Sequence, residues 1–314
     1  MIMVIARSLA ARLVITAAIL AYLLRSIDPG AAVQAMLRMD PWWFGLTLVL
    51  VALDRGVMAL RWVILLRAAN VDLPTRSAVR IFLTSSFVGS FLPAGIGADA
   101  ARAYAVASRT SQGSQAVASV GVDRLLGLVA VVALGVVGLA GWAQHVDPVL
   151  RVRLYVVAGV AGLTTVAMFW VDRLVRACVP ARWHGSKWGW RITRLGDAVG
   201  AYRAHPKVLT LVLALSVAVQ VIRVLQGYGV GRGLGIGVNL SYYLVFMPVA
   251  LLLWLLPVSI SGFGLPQAAI VWLLRPVGVP DAESFAMSTL FVVIGLLSNV
   301  PGALLYAIRR KPVT

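Results

Sequence analysis

Cysteine is almost absent from this chain: Cys178 stands alone among 314 residues. An intrachain disulfide and a cysteine metal cluster are therefore excluded. Histidine is nearly as scarce. His145, His184 and His205 are scattered without the spacing of metal ligands, and no metal site is expected. The P-loop pattern GxxxxGK(S/T) does not occur, so the chain offers no phosphate-cradling loop for ATP. No carboxylate pair or Ser–His pair stands out as catalytic machinery, and neither enzyme activity nor a cofactor is expected. Charge itself is thin: Asp, Glu, Lys and Arg make up 12% of the residues, about half the share of a soluble domain.

What fills the chain is apolar. Hydrophobic residues make up 61%, and the mean hydropathy is +0.91. A water-soluble core has no room for so much apolar surface, so the reading is an all-α polytopic membrane protein. A span needs ~20 apolar residues, so 314 residues allow several spans and no added soluble catalytic domain. The net charge of +17 would suit nucleic acid, but the basic residues sit in short loops between apolar runs. That is the positive-inside pattern, and such loops attract anionic headgroups of the bilayer.

Long apolar runs at about 8–24, 43–66, 115–142, 152–171, 207–225 and 285–308 read as six full spans. The first has the basic start of a signal peptide. It lacks a convincing cleavage site and reads as an uncleaved span. Two further regions, about 81–108 and 242–275, are interrupted by Leu92-Pro93-Ala94-Gly95-Ile96-Gly97-Ala98-Asp99 and by Leu256-Pro257-Val258-Ser259-Ile260-Ser261-Gly262. Each interruption leaves pieces of about 13–15 residues, too short to cross alone. They read as re-entrant hairpins or broken helix pairs. Pairs that cross fully also satisfy the loop charges, and the sequence leaves both open.

Basic loops place the N-terminus, the 172–206 loop and the Arg309-Arg310-Lys311 end in the cytoplasm. The membrane itself is expected to be the inner or plasma membrane. The chain then forms one transmembrane domain, 1–314. Two halves of inverted topology, about 43–142 and 207–308, are joined by 143–206 and its basic loop. Residues 180–204, rich in Trp and Arg, suit an amphipathic interfacial segment. Paired helix breaks in inverted halves mark the place where a transporter meets its substrate.

Ionisable residues inside apolar runs are costly and are normally paired or set along a polar cavity. Asp54, Arg55, Arg61, Asp123, Arg124 and Arg223 lie in full spans, and Asp99 and Arg102 follow the first break. The i,i+3 spacing puts Asp99 and Arg102 on one helix face. Asp123 and Arg124 are adjacent, point apart, and need partners on other helices, such as Arg102 for Asp123. Gly95 and Gly97 permit a tight turn or leave backbone N–H groups open to an anion at a helix start. The expected substrate-binding set is Pro93, Gly95, Gly97, Asp99, Arg102, Asp123, Arg124, Ser259, Ser261, Gly262 and Gln267. Ion pairs that only hold the bundle together are the competing reading.

These residues carry a resemblance. Phe91 to Asp99 with Arg102, Ala118 to Leu128 with Asp123-Arg124-Leu125-Leu126-Gly127, Arg61-Trp62, and Pro257 to Gly264 occur in one order. Over about residues 10–308 the chain resembles the flippase-like family named after the transmembrane region of lysylphosphatidylglycerol synthases, as a stand-alone member without the synthase domain. The resemblance implies a protein that moves a lipid between leaflets. It also implies a phospholipid or polyprenyl-phosphate-type partner, with a pathway enzyme as a further one. Two departures bear on the substrate. Asp123-Arg124 replaces the usual Glu-Arg, and Gly264-Leu265-Pro266-Gln267 replaces Gly-x-Arg-Glu, which disfavours a cationic headgroup. A flippase or scramblase for a phosphate-bearing lipid is the leading expectation. A scaffold or accessory subunit of a lipid or envelope-glycan pathway is the alternative, and a membrane-embedded transferase comes third.

Overall fold

The computed structural model describes residues 27–91, 97–141, 187–254 and 263–308, with isolated positions before Ile27 and between 152 and 163. These residues form eleven α-helices. In chain order they are α1 (Pro29–Leu37), α2 (Pro41–Ala68), α3 (Thr75–Gly89), α4 (Gly97–Ala107), α5 (Gly113–Gly141) and α6 (Lys187–Gly200). There follow α7 (Pro206–Gly233), α8 (Leu240–Trp254), α9 (Leu265–Leu274), α10 (Asp281–Leu297) and α11 (Val300–Ile308). Three segments are long and apolar enough to cross a membrane: α5, α7, and the run Asp281–Ile308 made by α10 and α11. Helix α2 has the same length of 28 residues but carries Asp54, Arg55, Arg61 and Arg67.

Local chemistry sets the helix starts. Asp28 precedes Pro29, and its carboxylate accepts hydrogen bonds from the Gly30 and Ala31 N–H groups at 2.8 and 3.2 Å. Asp40 precedes Pro41 and accepts from the Trp42 N–H at 2.8 Å. An acidic N-cap followed by proline satisfies free donors and begins a helix with φ already fixed. The Asp40 N–H also donates to the Gly233 carbonyl at 2.9 Å, which ties the start of α2 to the end of α7.

The two halves share one pattern of lengths. Helices of 28, 15, 11 and 29 residues form α2–α5. Helices of 28, 15 and 10 residues form α7–α9, and a 28-residue run closes the second half. The packing follows the same correspondence. Helix α2 lies along α7; α5 lies on α8 as α11 lies on α3; α4 packs on α3 and α5 as α9 packs on α8 and α10. One core lies within the first half, with Trp62, Phe82 and Val106, and another, around Tyr243, Phe246, Met247 and Met287, also takes in Val51 of α2 and Leu134 of α5. Leu53, Leu60, Val137 and Leu304 are exposed, as befits an outer surface solvated by hydrocarbon.

The boundaries differ from expectation in two places. The run expected at 207–225 continues to Gly233. The glycines in the added turns are contact points. A side chain added at Gly229 would meet Thr47 at 2.7 Å, and one at Gly231 would meet the Tyr243 hydroxyl. Arg223 consequently lies deep within α7 and not near its outer end. The run expected at 285–308 is divided by a turn at Ser298 and Asn299, just before Pro301. The expected runs at 8–24 and 152–171 fall almost wholly outside the described residues, and the amphipathic segment at 180–204 contains α6.

Where helices cross without a hydrophobic driving force, small residues permit close backbone approach. Pro248 lies inside α8 and cannot donate to the Leu244 carbonyl one turn earlier. That carbonyl abuts Gly138 of α5 so closely that a Cβ at Gly138 would clash with the oxygen. We expect Gly138→Val to destabilise the protein by ~1–3 kcal/mol, the range for overpacking. Gly56→Ala, with nothing within 4 Å, should leave stability within ~0.5 kcal/mol of wild type. Thermal unfolding in detergent distinguishes the two. Equal midpoints for Gly138→Val and wild type would refute the close crossing.

Candidate functional site

Charged residues of four helices converge between the two halves. Asp123, buried on α5, accepts from Arg61 Nε of α2 at 2.6 Å and from Arg102 Nη2 of α4 at 3.4 Å. Arg61 also donates to Ser216 Oγ of α7 at 2.9 Å, so one guanidinium links three helices. Gly127, one turn beyond Asp123, lies beside this guanidinium, and a Cβ there would make an ordinary contact with Arg61 Nη2 at 3.6 Å. Arg102 donates to Asp99 at 2.7 Å within α4, and Asp99 also pairs with Arg124 of α5. The result is a chain of alternating charge, Arg61–Asp123–Arg102–Asp99–Arg124.

The surroundings separate the members of this chain. The Arg102 side chain is 5% exposed, and its guanidinium carbon lies 4.9 Å from the ring centroid of Trp62 and 5.4 Å from that of Phe82. Aromatic faces attract a cation that has lost its water. Trp62 is itself held by an Nε1–H bond to Ser119 Oγ at 3.2 Å. The Arg124 side chain, by contrast, is 43% exposed. The adjacent residues Asp123 and Arg124 therefore point in different directions, one into the bundle and one to its accessible side.

A second cluster joins α2 to α7 and to the α10–α11 turn. Buried Asp54 accepts from Arg223 Nε at 3.0 Å. Arg55 donates from Nε to Ser298 Oγ at 2.8 Å. Gln220 and Gln226, three residues to either side of Arg223, donate to the carbonyls of Gly127 at 3.3 Å and Leu50 at 3.2 Å.

Both clusters border one cavity of about 370 Å³. Its walls include five arginines (Arg55, Arg61, Arg102, Arg124 and Arg223) and three aspartates (Asp54, Asp99 and Asp123). Ser85, Ser86, Ser90, Gln220, Gln226 and Asn299 add neutral polar groups, and Leu251, Trp254 and Phe291 form an apolar side. Such a space can receive an anionic polar group while apolar atoms rest against the hydrocarbon wall.

Of the expected site residues, the fold brings Asp99, Arg102, Asp123 and Arg124 to the cavity. Gly97 is buried at the start of α4. Gln267 is elsewhere: its Oε1 accepts from the Gly264 N–H at 2.6 Å and closes the start of α9, where Gly264 has φ +100°. Pro93, Gly95, Ser259, Ser261 and Gly262 lie outside the described residues. Asp54, Arg55, Arg61 and Arg223 also line the cavity. Their presence inside apolar runs was the signal for them, and their pairing across up to 169 positions was not readable from spacing.

The family model described as the lysylphosphatidylglycerol synthase TM region matches residues 9–302. No curated protein matches the chain.

Breaking a buried ion pair from one side leaves a charge without compensation, at about 3–5 kcal/mol. We expect Asp123→Ala, which leaves buried Arg61 without a carboxylate while Arg102 keeps Asp99, to fall within that range. Arg124→Ala removes a partner that is nearly half exposed and should cost no more than ~1 kcal/mol. Chemical or thermal unfolding of the detergent-solubilised variants checks the ranking, and similar losses for both would contradict it.

Proposed function

Because the chain belongs to the lysylphosphatidylglycerol synthase transmembrane-region family, we propose that this multi-pass membrane protein moves a phosphate-bearing lipid between leaflets, as a flippase or scramblase. The observation that carries this reading is the cavity between the halves, with five arginines against three aspartates. The surplus of arginine on the cavity wall favours an anionic headgroup, because guanidinium donors meet phosphate with charge-assisted hydrogen bonds. In this reading the headgroup crosses through the cavity while its acyl chains remain in the bilayer.

The short helices α3, α4, α8 and α9 serve this passage. With 15, 11, 15 and 10 residues, they rise ~15–23 Å at 1.5 Å per residue, short of the ~30 Å hydrocarbon core. We assign them to two re-entrant pairs entering from opposite faces. The matched lengths and contacts of the two halves support an inverted repeat. Basic loops support cytoplasmic termini and an inner or plasma membrane setting. The role is transport without catalysis. The sequence holds no P-loop, so a gradient or a partner protein supplies any drive.

Two measurements test this. Reconstituted into liposomes, the wild type should expose fluorescently labelled phosphate-bearing lipid of the inner leaflet to an external quencher. We expect Arg124→Gln, which still folds, to slow this at least about tenfold, equivalent to ~1.4 kcal/mol. A wild-type protein that moves no lipid but co-purifies with an envelope-pathway enzyme would establish the scaffold role instead. For orientation, the single Cys178 is a native probe. An impermeant maleimide should label it in inverted vesicles and not in intact cells, and the reverse pattern would overturn the topology.

A further inference from the structure

Within the cavity the arginines are not equivalent. Arg61, Arg102, Arg124 and Arg223 each meet a carboxylate. Arg55 does not: among the described residues its hydrogen bond runs to Ser298 Oγ, and the neighbouring Asp54 is taken by Arg223 at 3.0 Å. The Ser298 hydroxyl donates to the Gly295 carbonyl, so it serves Arg55 as a neutral acceptor. Arg55 therefore brings a partly buried positive charge to the cavity wall with no carboxylate bonded to it among the described residues, and the adjacent Asp54 is shared with Arg223.

Two amide oxygens nearby lack the opposite thing. Asn299 follows Ser298, and its Nδ2 donates to Ser90 Oγ at 2.8 Å. The Ser90 hydroxyl donates in turn to the Ser86 carbonyl at 3.2 Å, which leaves its oxygen as the acceptor for Asn299 Nδ2. Its Oδ1 is buried with no donor. Gln220 lies one turn before Arg223, and its Nε2 is committed to the Gly127 carbonyl at 3.3 Å. Its Oε1 is likewise buried with no donor. Buried acceptors without partners are uncommon and call for a donor from outside the protein. Both residues line the same cavity as Arg55. The arginine excess disfavours an ammonium as that donor, so O–H donors fit these oxygens, water in the free protein and hydroxyl groups in a bound ligand.

We infer that the cavity takes an anionic, hydroxyl-rich lipid headgroup, a polyol phosphate diester, with its phosphate on Arg55 and its hydroxyls on the Gln220 and Asn299 amide oxygens. The inference rests on reading the cavity as a headgroup site, and it adds the headgroup class and the residue that anchors it.

The test is equilibrium binding to the full chain in nanodiscs of neutral phosphatidylcholine. The probes are dioctanoyl phosphatidylinositol, dioctanoyl phosphatidylmethanol, dioctanoyl phosphatidylethanolamine and soluble inositol 1-phosphate. Phosphatidylmethanol has the same diester charge without hydroxyls. The wild type should bind phosphatidylinositol about tenfold or more tightly than phosphatidylmethanol, and the ethanolamine lipid most weakly, a tenfold ratio being one decade of Kd. Arg55→Gln should weaken both anionic lipids by about tenfold or more. Gln220→Leu and Asn299→Leu, made singly and checked for folding by their melting midpoints, should lower phosphatidylinositol toward phosphatidylmethanol and leave the latter unchanged. Equal wild-type affinity for the two diesters, preference for the ethanolamine lipid, or unchanged binding by Arg55→Gln overturns the inference while the lipid reading stands. Tighter binding of soluble inositol phosphate than of its lipid overturns the lipid as the ligand. Failure of the wild type to bind any probe overturns both readings. The wild-type comparison decides the hydroxyl question even if a variant fails to fold.

Discussion

A carboxylate shared by two guanidinium groups is the constraint on which this bundle depends. In a low-dielectric interior, charge is tolerated only where partners are close and correctly aimed. Asp123 must therefore remain within hydrogen-bond reach of Arg61 and Arg102 at once. That condition fixes α5 against both α2 and α4, and Ser216 extends it to α7. Apolar packing alone permits helices to slide and rotate with little change in contact area. Directional ion pairs do not. The cavity can stay open because its walls are fixed by bonds across it and not by the collapse of side chains into it.

The rest of the bundle is joined by small residues. A neighbouring backbone at Gly138 and Gly302, and the Thr47 and Tyr243 side chains at Gly229 and Gly231, leave no space for a β-carbon. In hydrocarbon, where burial of apolar surface gives no advantage between helices, close contact and dispersion must supply the association. The two devices are divided by region. Glycine contacts join α5 to α8, α7 to α2, and α11 to α3, while the ion pairs among the described residues line the cavity, apart from the exposed Arg275–Asp281 pair. Specific polar bonds lie where a polar ligand would compete for them.

Much of this was legible in the residues. Apolar runs marked α2, α5 and α7 to within a few residues at their starts, since span length is set by hydrocarbon thickness. The pairing of Asp99 with Arg102 followed from i,i+3 spacing, and the need of Asp123 for a partner on another helix followed from the cost of its burial. Other features were hidden because they depend on two helices meeting. The glycines after Gln226 lie against Met247, Tyr243, Thr47 and Trp43, contacts that the pattern along one helix does not display. Gln220, Arg223 and Gln226 were visible as a polar stripe at three-residue intervals on α7. That spacing was the available sign that α7 faces a polar space along its length. The division at Ser298 and Asn299 had only Pro301 to announce it.

The proline of α8 has a mechanical consequence. A carbonyl deprived of its helical donor by Pro248 lies against the bare backbone of Gly138, where the available donor is the weak Cα–H group. The residues before Pro248 are thus seated on α5, while those after it include Leu251 and Trp254, which form part of the cavity wall. A missing rung makes the junction between these two parts the most easily bent point of the helix. Helix α8 has the layout of a lever: its fulcrum rests on the opposite half of the molecule, and its free arm ends beside the space that a cargo would occupy.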